Sequence, residues 1–238
     1  MVRWLPHPAA LFAGSFVVDT EGFYDPWVTF DGFPVAALDF YDDLEQDNSK
    51  AFWEAHRDVY NAAVRAPFEA LAEAVEDEFG DAKIFRPNRD VRFSKDKAPY
   101  KTHQGMYVAA AEATGWYVQL SAAGVMVGVG FYDASSTRLA LLRKVIDGPD
   151  GVSLERLVGD LQRDGWTLGG DTVKTAPRGY SVDNPRIALL RHKTMSLSKE
   201  YGFGPFVHTP DLLGRIVSDW RDGRSLVEWL AVHLGTGR

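Results

Sequence analysis

A run of basic side chains over residues 86–103, the basic segment, is the part of the sequence best suited to chemistry. It contains six Lys or Arg and two Asp, a net charge of +4, whereas the whole chain has 26 Lys and Arg against 33 Asp and Glu and a net charge of −7. A positive patch in an acidic protein attracts anions. The basic segment is therefore a candidate site for a phosphate or carboxylate group.

Charges in the first half of the basic segment can be arranged by assuming a strand over residues 89–96. Alternate residues of a strand share a face, so Arg92 would lie between Asp90 and Asp96, with Ser94 beside it. The two aspartates would then aim the guanidinium group at a bound anion. The alternative is an ion-pair lattice that braces the strand against a helix, in which both aspartates neutralise Arg92. The sequence leaves both interpretations open.

The second half of the basic segment is predicted to be a binding loop, because Pro99 interrupts strand pairing. In an enzymatic variant of this site, His103 or Tyr100 would carry a proton. Asp90 and Asp96 are the predicted orienting residues. The predicted anion contacts are Arg89, Arg92, Ser94, Lys95, Lys97, Tyr100, Lys101 and His103, with Arg191 and Lys193 added from a second basic cluster.

That second cluster covers residues 177–199. If it folds beside Arg92, the two clusters would form one basic cleft fit for a phosphate-bearing ligand. The alternative is a solvated basic surface that balances the acidic helix predicted around residues 39–47.

Residues 89–102, with the sequence RDVRFSKDKAPYKT, resemble the signature of domain-of-unknown-function family 2461, conserved hypothetical proteins widespread in bacteria. The stretches DNSKAFW (47–53), RAPF (65–68), PRGY (177–180) and LLRHK (189–193) resemble further parts of its pattern. The departures at Asp47, Trp53 and His103 leave the motif intact. The resemblance covers about residues 32–234 and implies membership of a bacterial family. It carries no catalytic residues over, because that family has none established.

The composition limits the class of protein. With 238 residues, of which 45% are hydrophobic and 25% charged, the chain is typical of a globular protein. The absence of cysteine excludes disulfides and thiolate metal sites, and the histidines show no metal-ligand spacing. We therefore expect no metal and no cofactor. No apolar run is long enough to span a membrane, which favours a cytoplasmic protein without a membrane partner.

The pattern of elements predicts an α+β fold. Helical periodicity after Ser49, a predicted N-cap, leads to Pro67, which fits either a kink or the start of a further helix. Residues 106–112, 116–122 and 125–132 read as an antiparallel meander. Gly128 and Gly130 share one face of its third strand, which indicates a close neighbour there, either a packed helix or a ligand.

Residues 166–199 are predicted to be irregular, with a short strand or two, and the chain ends in amphipathic helices. We thus expect one domain over residues 32–234, with a central antiparallel sheet and N- and C-terminal helices packed on it. Residues 1–31 are expected to be a nonessential extension, an over-long start of the reading frame.

Two functions from different classes remain open. The first is binding of a phosphate-containing or other anionic ligand, such as a nucleotide, a sugar phosphate or a nucleic-acid end, through the basic segment. A pI near 5.4 argues against a general nucleic-acid-binding surface but not against a local one. The second is a structural or protein-interaction module in which the Arg/Asp motif is an ion-pair brace. The sequence identifies neither a substrate nor a reaction.

Overall fold

The structure is a computed structural model that describes residues 29–92, 95–132 and 135–235. Residues 1–28 of the predicted extension, Ser94 of the predicted site and the last three residues lie outside the described residues.

The N-terminal helical unit begins with α1 (Val35–Gln46) and α2 (Lys50–Val59). Ser49 caps α2 as predicted, because its hydroxyl accepts a hydrogen bond from the Phe52 backbone N–H at 3.1 Å. A π-helical turn (Tyr60–Arg65) then leads without a break into α3 (Ala66–Phe79).

Pro67 lies within the first two positions of α3, where its missing N–H costs little. The wide turn immediately before it lets the chain continue as a helix, since a π-helical turn changes the hydrogen-bond spacing locally. The sequence alternative of a following helix is thus the one that the structure adopts.

Six strands of the described residues form one antiparallel sheet in the order β1-β2-β3-β4-β6-β5. Their bounds are β1 (Ala82–Ile84), β2 (His103–Ala111), β3 (Thr114–Ser121), β4 (Gly124–Phe131), β5 (Thr167–Gly169) and β6 (Met195–Gly202). The predicted meander is confirmed as β2–β3–β4, with each strand starting slightly earlier than expected. β6 pairs with β4 over its whole length, although its sequence lies mostly in the stretch predicted to be irregular. The sequence signal of β6 is weak, because only Met195 and Leu197 alternate with polar residues before the polar run Ser198-Lys199-Glu200 begins.

The remaining helices follow the meander. They are α4 (Ser136–Asp147), α5 (Gly151–Arg163), the short α6 (Ile187–Leu190), α7 (Asp211–Asp222) and α8 (Arg224–Leu234), with a 3₁₀ turn at Pro205–His208. Helices before the sheet and mostly after it confirm the α+β class. Within the described part of the chain, no helix is long and apolar enough to cross a membrane.

One face of the sheet, the helix face, carries the core. Met106, Val118, Val127 and Leu197 on this face have no exposed surface. Two tryptophans lock α7 onto it, because the Trp116 Nε1 donates to the Trp220 carbonyl at 3.0 Å and the Trp220 Nε1 donates to the Tyr117 carbonyl at 3.2 Å.

The opposite face, the open face, is far less covered. Its side chains include Tyr107, Tyr117 and Ser198, which are only partly buried, while their strand neighbours Met106, Val118 and Leu197 on the helix face are fully buried. The period-2 alternation of burial therefore distinguishes a core face from a partly solvated face in the middle of the sheet.

Candidate functional site

Between β1 and β2, the described residues of the basic segment form a loop with one isolated bridge and no strand, so the strand assumed over residues 89–96 is wrong for its described residues. Its two arms are joined at their base by an antiparallel bridge between Asn88 and Tyr100. Beyond the bridge, the Arg89 N–H donates to the Pro99 carbonyl at 2.8 Å, and pairing then stops.

Local hydrogen bonds explain why this part of the chain leaves the sheet. The Asp90 carboxylate accepts from the Arg92 N–H at 3.2 Å, and the Asp96 carboxylate accepts from the Ala98 N–H at 2.9 Å. Such aspartate turns satisfy the backbone locally and compete with strand pairing.

The ion pairs of the loop differ from both sequence interpretations. Arg92 forms an ion pair with Asp90, its neighbour two positions earlier, through an Nη2–Oδ2 contact of 2.7 Å. Asp96 forms an ion pair with Arg89. These hydrogen bonds lower the pKa values of Asp90 and Asp96. Both pairs are largely exposed, and the Arg92 side chain is 77% exposed, so neither is a buried brace against a helix.

Among the lysines of the loop, Lys97 folds back and donates from Nζ to the Val91 carbonyl at 3.0 Å. Lys95 is exposed at the tip. These two cations contribute to the potential around the loop from its outer side.

The base of the loop is anchored to the start of α2 by a contact that the sequence did not reveal. The Asn48 Nδ2 donates to the Tyr100 carbonyl at 3.0 Å, and the Tyr100 N–H donates to the Asn48 Oδ1 at 3.0 Å. The Tyr100 ring stacks on Trp53, with centroids 4.2 Å apart and planes 10° apart. Tyr100 is 6% exposed and belongs to the core, which corrects its predicted role as an anion contact or proton carrier.

A second missed residue, Gln104, holds the other side of the loop. It is 1% exposed and accepts a 2.7 Å hydrogen bond from the Tyr60 hydroxyl. Its Nε2 donates to the Phe85 carbonyl at 2.7 Å. A glutamine flanking a dense run of charges gives no sequence signal, because its role depends on Tyr60, 44 residues away.

These anchors leave a cleft of about 620 Å³ between the connection from α1 to α2 and the inner side of the loop, which we term the basic cleft. Among the described residues, its lining includes the cations Arg89 and Lys101, the acids Glu45 and Asp96, and His103. The remaining lining residues are Asn48, Ala98 and Thr102.

Two partly buried bases that line the basic cleft, Lys101 and His103, have lowered pKa values. Burial lowers the pKa of Lys101, and the nearby Arg86 lowers it further. Burial also lowers the pKa of His103, and Lys101 adds to this effect. Within the part of the chain that the structure describes, Lys101 makes no ion pair.

The second basic cluster lies elsewhere. Residues 191–193 pair with residues 171–173 in an extension of the β5–β6 hairpin, whereas the basic segment lies at the β1–β2 edge. β2 and β6 are three strand spacings apart, about 14 Å. Arg191 and Lys193 are therefore not brought together with Arg92, which corrects the expectation of one joint cleft. Only the strand order decides this separation.

Part of that cluster has structural roles. The Arg186 Nε donates to the Ile146 carbonyl at 2.6 Å at the end of α4. The Lys199 Nζ and the Tyr201 hydroxyl contact the Asp219 carboxylate at 2.7 and 2.6 Å, which ties β6 to α7. Sequence reasoning missed Asp219 because its two partners lie in a strand that was only partly anticipated.

No group of three or more His, Asp or Glu side chains that could hold a metal ion occurs within residues 29–92, 95–132 and 135–235. In the basic cleft, Arg89 and Lys101 can form charge-assisted hydrogen bonds, and the lowered pKa of His103 favours a neutral imidazole.

Comparison with known protein families gives a match. The family described as conserved hypothetical protein (DUF2461) matches residues 36–229, which include all but the first residue of α1, the basic segment, the whole sheet and the first half of α8. A search of curated proteins found none that matches.

Proposed function

The chain belongs to the DUF2461 family of conserved hypothetical proteins, and we propose that it binds a small ligand with a phosphate or other anionic group in the basic cleft. The family description carries no activity, so the proposal rests on the geometry of the cleft. The proposed function is ligand binding, without a catalysed reaction.

The observation that carries the proposal is the position of Lys101. Its ammonium group lines a cleft of about 620 Å³ beside Arg89 and His103, and it makes no ion pair among the described residues. A partly buried ammonium next to further cations is destabilised, as the lowered pKa of Lys101 indicates. An anion in the cleft would relieve both costs at once.

Arg89 and His103 would complete the contacts. Arg89 is held by Asp96, and its guanidinium group can share its remaining N–H donors with a second anion. His103, neutral at pH 7 because its pKa is lowered, can donate one hydrogen bond, and it is the residue that an enzymatic variant of the site would use as a proton carrier. Arg92, Lys95 and Lys97 on the outer side of the loop would raise the local anion concentration.

The alternative proposal is a structural or protein-interaction role for the Arg/Asp motif. The observation in its favour is that the Arg89–Asp96 and Arg92–Asp90 ion pairs link residues within the loop. Exposed pairs contribute little to stability, so under this alternative the loop would act as a shaped surface for a partner protein.

Calorimetry with inorganic phosphate and thermal unfolding with and without it test the proposal on wild type, Lys101→Gln and a matched control, Lys174→Gln. Lys174 is exposed and lies outside the cleft, so its removal changes the net charge equally. At about 100 times its dissociation constant, phosphate should raise the Tm of wild type and the control by about 5–10 °C. The rise should vanish in a folded Lys101→Gln variant. An equal rise in both variants, or no rise in wild type, would overturn the proposal.

A nucleic-acid end as the source of the phosphate predicts a further result. The affinity for a short 5′-phosphorylated oligonucleotide would fall steeply with salt, because several phosphates release counterions on binding. A shallow salt dependence would restrict the ligand to a small phosphate compound. We also propose that the protein works in the bacterial cytoplasm, which the absence of cysteine and the acidic composition support.

A further inference from the structure

The open face of the sheet contains a row of small residues that crosses four strands. Register places Gly115 opposite Gly130 and Gly130 opposite Ser196, and Gly169 of β5 opposite Ser196. The neighbouring row contains Tyr107, Tyr117, Gly128 and Ser198 in register. A row of glycines that ends at Ser196 and Gly169 thus runs beside a row that starts with two tyrosines.

This arrangement forms a second cleft, the aromatic cleft, with a volume of about 370 Å³. Its floor consists of Gly115, Gly128 and Gly130. Its aromatic lining residues on the open face are Phe85, Tyr107, Tyr117 and Tyr132, and Ser196 and Ser198 supply hydroxyl groups. A volume above about 300 Å³ with mainly apolar walls and few polar groups is typical of small-molecule sites.

The glycines of the floor differ in why they are required. At Gly130 the φ angle of 144° and the nearby Met195 carbonyl exclude a side chain. At Gly128 neither reason applies, because a Cβ there would meet its nearest atoms, the Leu197 carbonyl oxygen and the Tyr117 Cβ, at 3.5 and 3.7 Å. Glycine inside a strand costs stability, so a glycine that the backbone does not require indicates a space that is kept open.

The aromatic cleft adjoins the basic cleft. The Lys101 Nζ lies 5.2 Å from the Phe85 ring centroid, so one residue of the basic cleft contacts one wall of the aromatic cleft. The Lys83 Nζ lies 5.9 Å from the same ring. His103 and Tyr107 share the open face of β2, four residues or about 13 Å apart. Cations are therefore gathered at one end of an apolar cleft.

We propose that the two clefts bind one ligand, a small molecule whose flat aromatic ring lies on the glycine floor and whose anionic group reaches Lys101 and Arg89. This inference rests on the proposed function and adds the chemical class of the ligand. The ring packs against the tyrosines and Phe85, because aromatic side chains and flat rings stack favourably. Ser196 and Ser198 at the opposite end hydrogen-bond polar atoms on the edge of the ring.

Calorimetry with matched probes tests the inference on the full chain. Naphthyl phosphate has both ring and anion, inorganic phosphate has only the anion, and naphthol has only the ring. Naphthyl phosphate should bind at least about tenfold more tightly than inorganic phosphate, which is the lower part of the range for stacking one ring on aromatic side chains. Naphthoate in place of naphthyl phosphate distinguishes a carboxylate from a phosphate ligand.

Filling the aromatic cleft provides the decisive variant. Gly128→Ala and Gly128→Val place increasing volume on the floor and should weaken naphthyl phosphate binding progressively, by about tenfold for Val. Binding of inorganic phosphate should not change. Gly159→Val is the control, since a side chain at Gly159 meets no heavy atom within 4 Å. Circular dichroism and Tm establish that each variant is folded, and Gly128→Ala remains informative if the larger residue is not tolerated.

The outcomes separate the two proposals. Inorganic phosphate that binds through Lys101 supports the proposed function. If naphthyl phosphate then binds no more tightly than inorganic phosphate, or if Gly128→Val leaves its affinity unchanged, the proposal of one ligand in both clefts is wrong and the proposed function stands. If inorganic phosphate and naphthyl phosphate both fail to bind, the proposed function fails. If in that case naphthol alone binds and Gly128→Val removes it, the aromatic cleft acts without the anion, which also overturns the shared ligand.

Discussion

Asn48 holds Tyr100 by both of its backbone groups, with one 3.0 Å hydrogen bond in each direction, although the two residues are 52 positions apart. The Asn48 side-chain amide thereby satisfies the N–H and carbonyl groups of Tyr100, as the backbone of a neighbouring strand would. Tyr100 is the residue directly before Lys101. The position of the cationic side chain thus depends on a residue between two helices.

Replacing Asn48 by Ala should lower the free energy of unfolding by about 1–3 kcal/mol, because the partly buried N–H and carbonyl of Tyr100 lose their partners. Urea unfolding followed by circular dichroism measures the loss. Asn61→Ala serves as the control, since Asn61 is exposed in the π-helical turn. Equal stability of Asn48→Ala and the control would contradict the anchor.

Arg92→Ala should leave the Tm within about 2 °C of wild type, because the Arg92 side chain is 77% exposed and its pair with Asp90 lies within the loop. Arg138→Ala is the contrast: Arg138 is 6% exposed, and its Nη1 donates to the Glu112 carbonyl at 2.7 Å. That variant should melt well below wild type. A large Tm loss for Arg92→Ala would restore the interpretation of the motif as a brace.

Lys199→Met should destabilise the protein by about 2–4 kcal/mol, because Asp219, 8% exposed, loses the ammonium group that compensates its charge. The Tyr201 hydroxyl remains as its other partner. The double variant Lys199→Met with Asp219→Leu should recover part of the loss, since no buried charge is then left alone. Guanidinium unfolding of both variants measures this. A double variant less stable than the single one would argue against charge burial as the cause.

Tyr60 should contribute to unfolding at alkaline pH. Burial raises its pKa from 10.0 to about 12, and its hydroxyl donates to Gln104. Above pH 10 the unfolded chain releases this proton while the folded protein keeps it, so stability falls as pH rises from 10 towards 12. The contribution is fully present below pH 10.

A single group of this kind adds a slope of at most about 1.4 kcal/mol per pH unit. Tyr60→Phe should therefore lower stability at pH 8 through the lost hydrogen bond and should flatten the decline above pH 10. Unfolding free energies measured at intervals from pH 8 to 11.5 give both slopes. Parallel curves for wild type and the variant would mean that Tyr60 does not titrate with a raised pKa.

Much of the fold could be predicted because its signals are local. Ser49 was identified as a cap from its own position, and the β2–β3–β4 meander was identified from short apolar alternation separated by glycine-containing turns. β6 was only partly anticipated, because it gains its partner β4 across about 70 residues and its own pattern is short.

For the candidate site, too, the local features could be predicted and the long-range contacts could not. The density of charge marked residues 86–103 as a candidate anion site, and the resemblance of residues 89–102 to a family signature indicated the family that the family model shows, because charge and motif are properties of the chain itself. Which cations face a common cleft is not such a property. Arg89, Lys101 and His103 meet there, while Tyr100 enters the core and Arg191 and Lys193 lie at the far edge of the sheet.

The sequence by itself therefore determined the helices, the meander, the basic segment and the family, since each depends on neighbours within a few positions or on a contiguous motif. Only the tertiary structure decided the anchoring of Tyr100 by Asn48, the separation of the two basic clusters and the meeting of the basic and aromatic clefts at Phe85 and Lys101. These relationships join residues that strand order and helix packing bring together, and no local pattern of side chains specifies that order.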